Sequence, residues 1–205
     1  MNFPSSSLIV IEGADGTGKT TVVSELILRF KTVGINAVHL AFPGKAPSTL
    51  GELVYRLHHD SNSVGVHSIT PSALQALHVA AHLDAVEKII KPNLRAGSTV
   101  ILDRFWWSTI VYGRLEGVKY DILAALVQAE RLAWDAFEPT CAFLLTRKTS
   151  LKTDILENWQ EITTGYFDLI KQEIFNYPVK AVNNDGSIQQ TVDQIWRALV
   201  NNRVN

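Results

Sequence analysis

Short apolar runs alternate with longer stretches of helical periodicity along almost the whole chain. Residues 8–11, Leu-Ile-Val-Ile, form the kind of run that a strand buried on both faces carries, and Val22, Val23, Leu26, Ile27 and Phe30 follow at helical spacing. Residues 37–42 predict a second strand that stops at Pro43-Gly44, and 50–58 predict a helix. Ser61-Asn62-Ser63 with Gly65 reads as a loop. Thr70-Pro71 marks the start of a helix, with the threonine as cap and the proline in the first turn. That helix is expected to reach about Arg95, with a bend or early end at Pro92. Residues 100–102 predict a third strand with Asp103 at its C-terminal edge. Helices over 108–114 and 121–136, a strand over 139–145, a helix across much of 152–175, a strand over 179–182 and a helix over 187–200 complete the series. The alternation predicts an α/β fold with a five-stranded parallel sheet covered by helices on both faces, and a ligand at the C-terminal strand edges.

Composition narrows the class. At 205 residues, with 46% apolar and 19% charged residues, the chain fits one compact domain without linkers or repeats. A formal net charge of −1 supplies no basic field, so neither nucleic acid nor an anionic membrane is an expected partner. The single cysteine, Cys141, excludes an internal disulfide, and its apolar neighbours make it a packed thiol rather than a nucleophile. Neither a signal-peptide pattern nor an apolar run of membrane-spanning length is visible, and the expected compartment is the cytoplasm.

The chemistry is concentrated at the first strand-to-helix turn. Residues 13–20 read Gly-Ala-Asp-Gly-Thr-Gly-Lys-Thr, the complete G-x-x-x-x-G-K-[ST] phosphate loop. Gly13, Gly16 and Gly18 let the backbone approach phosphates closely, and the N–H groups of the loop, through Thr17 to Thr21, form an anion nest at a helix N-terminus. Lys19 is placed to reach the β- and γ-phosphates of ATP, and the Thr20 hydroxyl to hold Mg²⁺. Asp103, at the end of the third strand, is a second candidate for Mg²⁺, and Arg104 beside it for another phosphate group. Places for a donor phosphate, a metal and an acceptor phosphate point to a kinase acting on a phosphorylated small molecule.

The residues that carry this chemistry also carry a family likeness. Residues 8–21, Ala41-Phe42-Pro43-Gly44, residues 89–94 and the run Asp103-Arg104-Phe105 with Ser108, Thr109 and Tyr112 resemble the thymidylate kinases in order along the chain. Gly165-Tyr166, Gly186-Ser187-Ile188 and Ile195-Trp196 extend the resemblance into the C-terminal third. The resemblance implies ATP- and Mg²⁺-dependent phosphorylation of dTMP by a homodimer. It further implies that Asp15 binds the 3′-hydroxyl of the acceptor, that Arg104 binds its phosphate, and that Phe42 lies against the base. Phe105 would pack on the deoxyribose, and Tyr112 and Lys45 belong to the same substrate side.

Departures from the family pattern are equally specific. His82 stands where an arginine normally reads the thymine edge, Asp84 where glutamine often stands, and Gly113 where many members carry glutamine. A neutral imidazole offers one donor and one acceptor in place of a fixed donor fork, so an altered base preference is an open alternative. The expected lid, about 146–160, is short and holds only Arg147, Lys148 and Lys152 as basic residues, and Gly16 leaves the loop without an arginine. Lys45 and Arg147 are candidate substitutes. A nucleotide-binding regulator with little transfer activity and a deoxynucleoside kinase are the competing readings. His39, His58, His59, His67 and His78 read as scattered structural histidines, and Trp106-Trp107 as one pocket wall and one packing ring.

Overall fold

The computed structural model describes residues 6–152 and 158–201. Five parallel strands, β1 (Leu8–Glu12), β2 (Ala37–Ala41), β3 (Thr99–Asp103), β4 (Cys141–Thr146) and β5 (Val179–Asn183), form one sheet in the order β2-β3-β1-β4-β5. Strand β1 is central and fully buried, which its unbroken apolar run requires. Its side chains divide between two cores by strict alternation. Leu8 and Val10 join Val100, Leu102, Ala142 and Leu144 on one face, whereas Ile9 and Ile11 join Ile101, Phe143 and Leu145 on the other.

The second core is closed by α1 (Lys19–Thr32) and α8 (Ile188–Asn201), with Phe30 packed edge-on against Trp196 at 5.0 Å. The first is closed by α3 (Pro71–Ala85), α5 (Trp107–Leu115), α6 (Tyr120–Trp134) and α7 (Trp159–Glu173). Helix α2 (Leu50–His59), capped by the Thr49 side chain accepting from Glu52 N at 3.1 Å, packs on α3. The predicted element order holds, with ends shifted by one to a few residues. The helix expected over much of 152–175 is α7; residues 153–157, which also fall inside the expected lid, lie outside the described residues.

Pro92 does not end its helix. The chain passes from α3 through a π-helical stretch, Val86–Ile90, into α4 (Lys91–Arg95), which has the proline in its first turn. Proline lacks the N–H that an unbroken α-ladder needs, and one widened turn upstream absorbs the mismatch. Trp107 and Trp106 are both buried: the Trp107 indole donates to Tyr177 Oη at 3.0 Å, and Arg131 lies over Trp106. Among the described residues no helix is long and apolar enough to cross a membrane.

Candidate active site

The phosphate loop leaves β1 and enters α1 through Gly18, whose φ of 91° is in the left-handed region. A β-carbon there would sit 2.6 Å from Asn184 Nδ2. Asn184 is 3% exposed and belongs to the turn after β5. Its Nδ2 donates to the Thr17 carbonyl at 2.7 Å, its Oδ1 accepts from Thr191 Oγ1 at 2.6 Å, and its N–H donates to the Thr146 carbonyl at 2.8 Å. The far strand thus braces the loop from outside. No motif or periodicity marks Asn184 in the sequence.

Inside the loop, Lys19 Nζ donates to the carbonyls of Gly13 and Ala14 at 2.8 and 2.9 Å and lies 3.7 Å from Asp15 Oδ1. Burial lowers the Lys19 ammonium to about 8, with Arg104 adding to the effect and Asp15, Asp103 and Glu12 opposing it. Thr20 Oγ1 donates to Asp103 Oδ2 at 2.6 Å, which unites the two residues assigned to Mg²⁺. No group of three or more His, Cys, Asp or Glu able to hold a metal occurs among the described residues. One carboxylate and one hydroxyl beside a phosphate cradle nevertheless suit Mg²⁺, which binds few protein oxygens and completes its shell with phosphate and water.

Arg104 opens the facing wall. Its φ of 84° is unusual for a residue with a β-carbon, and the turn is held by Arg104 N–H donating to the Ile11 carbonyl at 3.0 Å and Phe105 N–H donating to Glu12 Oε1 at 2.8 Å. The guanidinium donates to Ser108 Oγ at 3.1 Å and pairs with Asp15 Oδ1. Asp15 N–H donates to Tyr112 Oη at 3.1 Å, and Arg104 lies 5.5 Å over the Tyr112 ring. Burial works against the Asp15 charge, but Arg104 and Lys19 outweigh it and hold the carboxyl below its ordinary range. Burial likewise opposes the Arg104 charge and is overcome, chiefly by Asp15, so the guanidinium is raised above its ordinary value.

Glu12 is fully buried and holds these two walls together. Its carboxylate accepts from the N–H groups of Gly13, Phe105 and Ser108, from the Ser108 hydroxyl and from Tyr166 Oη, all within 3.1 Å. Burial raises its pKa above the ordinary carboxyl value despite Arg104 and Lys19.

Just beyond β2, Phe42 stacks on the His82 ring with centroids 4.1 Å apart, and Trp134 lies 5.9 Å away. His82 is 4% exposed and its Nδ1 is 2.7 Å from Glu130 Oε2, so the imidazole supports Phe42 from behind. Asp84, which stands where the family often carries glutamine, pairs with Lys88 at 2.5 Å. Two positions apart on a helix, it projects away from His82. Phe105 is buried 5.3 Å from Trp134, and the exposed Lys45 places its ammonium 4.0 Å over the Tyr55 ring. A β-carbon on Gly113 would lie 2.5 Å from Leu123 Cδ2 and 3.3 Å from Gln75 Cγ, so glycine there lets α3, α5 and α6 close up.

The histidines are not all scattered. His58 Nδ1 and His78 Nε2 are 3.0 Å apart, and the His59 ring lies 4.9 Å from that of His58. The loop between α2 and α3 folds these side chains together, which spacing alone does not reveal. Over the phosphate loop, Leu151 N–H donates to the Gly16 carbonyl at 2.9 Å, and Ser150 Oγ accepts from Lys152 N–H at 2.9 Å. Arg147 is engaged with the Asn184 and Thr149 carbonyls.

Comparisons with known proteins bear on the family and the fold. The family model described as "Thymidylate kinase" matches residues 11–178. A thymidylate kinase of Symbiobacterium thermophilum is 30% identical over 206 residues, covering 94% of this chain and 92% of that protein. One from Pelodictyon phaeoclathratiforme is 36% identical over 121 residues, 58% of this chain, and the match spans about half (53%) of that relative's length. The crystal structure of thymidylate kinase from Ehrlichia chaffeensis superimposes with a TM-score of 0.75 at 24% identity, covering 96% of this chain and all (100%) of that one, which supports the fold. The chain belongs to the thymidylate kinase family.

Proposed function

We propose that the protein transfers the γ-phosphoryl group of ATP to a deoxynucleoside monophosphate, with dTMP as the acceptor. The observation that carries this reading is a single carboxylate shared by two cations. Asp15 is 3.7 Å from Lys19 in the donor cradle and paired with Arg104 on the acceptor wall. Lys19 and the loop amides hold the donor phosphates, Arg104 takes the acceptor phosphate in its planar fork, and Asp15 orients the acceptor sugar. Thr20 and Asp103, which lie in hydrogen-bond contact, would hold Mg²⁺, and the ion when bound would offset the negative charge of the phosphates.

An acceptor phosphate oxygen attacks the γ-phosphorus in line; the new P–O bond forms as the bond to the β-phosphate oxygen breaks, leaving ADP and a nucleoside diphosphate. No side-chain base is needed, because a phosphate oxygen is already ionised, and positioning dominates. Glu12 supports this choice of acceptor. Both of its oxygens are occupied by structural donors, so it is unavailable to deprotonate the hydroxyl of an unphosphorylated nucleoside. The family likeness supports a homodimer, which light scattering after size exclusion tests.

A coupled assay of ADP release decides among the readings. Release that depends on dTMP and is absent with thymidine is expected. ATP binding without release would indicate a nucleotide-binding regulator, and release with thymidine a nucleoside kinase.

A further inference from the structure

Gln75, His78 and His82 lie on one face of α3, at positions i, i+3 and i+7. The outer two are fixed: Gln75 Nε2 donates to Glu116 Oε2 at 3.1 Å, and His82 is held by Glu130 and the Phe42 stack. His78, between them, is only part-buried, and its ring partner is another imidazole, His58 of α2, at 3.0 Å. The face looks toward α5, which carries Tyr112 in contact with Asp15 and Arg104. The His78 ring lies 6.4 Å from the ring of His82, which stacks on Phe42, so the pair continues the wall that Phe42 and His82 begin on the acceptor side. Burial first, and the neighbouring His82, His58 and Arg104 after it, lower His78 to about 3; burial and His59 also lower His58. Both rings are therefore neutral at physiological pH, and one donates while the other accepts.

A neutral pair of this kind has two states of equal charge. With the shared proton on His58 Nδ1, His58 Nε2 is an acceptor and His78 Nδ1 carries the second proton. With the shared proton on His78 Nε2, His58 Nε2 is protonated and becomes a donor. The two protons are conserved, exchange with water moves them, and no heavy atom shifts. The exposed edge of His58 can present either polarity.

We propose that the His58–His78 pair reads the acceptor base, and that its exchangeable polarity makes the pocket accept cytosine as well as thymine deoxynucleoside monophosphates. Thymine offers an N–H donor at N3 and an acceptor at O4; cytosine offers the reverse at N3 and N4. A site with fixed polarity rejects the wrong partner by factors of about 10⁴ or more, because a buried group is left unpaired. An adaptable one does not. The proposal rests on the kinase reading above and extends its acceptor range.

The test is turnover of dTMP and dCMP at saturating ATP and Mg²⁺ by the unaltered protein, with calorimetric binding of both nucleotides alongside. The expected kcat/KM for dCMP is within about a hundredfold of that for dTMP, with comparable affinities. A wider gap, or binding of dTMP alone, overturns the proposal and leaves the kinase reading standing. Turnover of neither nucleotide, with ATP still bound, sinks the kinase reading itself. In the folded His58→Phe variant, the acceptor KM should rise about tenfold for both nucleotides while the KM for ATP stays unchanged. An unaltered acceptor KM there also overturns the proposal.

Discussion

Ser108 and Glu12 are joined through both the backbone and the side chain of the serine: Ser108 N and Oγ each lie 3.0 Å from Glu12 Oε1. Because Ser108 Oγ also accepts from Arg104, the Arg104 guanidinium is tied through one hydroxyl to the carboxylate that ends the central strand. In Glu12→Gln an amide NH₂ must face N–H and O–H donors. The expected loss is about 2–3 kcal/mol, seen as a fall of roughly 4–12 °C in Tm by calorimetry.

Asn184 tests the brace on the phosphate loop. Asn184→Ala leaves the Thr17 carbonyl and the Thr191 hydroxyl without their partner and removes the contact behind Gly18. The expected result is a rise of about tenfold in the KM for ATP, with the acceptor KM within twofold of the original. Steady-state kinetics with each substrate varied in turn separates the two.

Arg104 is a fork rather than a point charge. Its two terminal nitrogens are directed to Ser108 and Asp15, an arrangement that one ammonium cannot reproduce. Arg104→Lys keeps the charge and should still raise the acceptor KM at least about tenfold. Measurement of KM for dTMP checks this, and the KM for ATP serves as the internal control.

His78 gives stability a defined pH dependence. Its folded pKa, near 3, lies below the ordinary histidine value, so between those values the unfolded chain binds the extra proton. Stability from this group is present above the ordinary value and is lost as pH falls toward 3. Acidification from pH 7 to 5 should destabilise the protein by up to about 2 kcal/mol more than it destabilises His78→Gln. Thermal unfolding of the two proteins at both pH values gives the difference.

The readable parts of this protein are those written locally. The phosphate loop occupies consecutive residues, and Asp103 and Arg104 follow an apolar run whose end must lie at the ligand edge of a parallel sheet. Asn184 was not readable, because it is 167 positions from Thr17 and a lone asparagine after a strand looks like any turn residue. The His58–His78 contact depends on how α2 folds back on α3, which periodicity does not specify. Asp84 shows the limit of a family pattern. Its position is one where glutamine often stands near the base, but here the carboxylate pairs with Lys88, and residues two apart on a helix diverge by about 200°, which turns it away from His82. Burial of His82 against Phe42 depended on Glu130, a helical residue from a different part of the chain.

The most direct test follows the phosphorus itself. ³¹P NMR of a mixture of ATP, Mg²⁺ and dTMP with the protein should show dTDP and ADP rising together, and the rate should fall by at least about 10³ in Lys19→Ala. ADP rising with inorganic phosphate and no dTDP, or no change in the spectrum at all, would contradict the account.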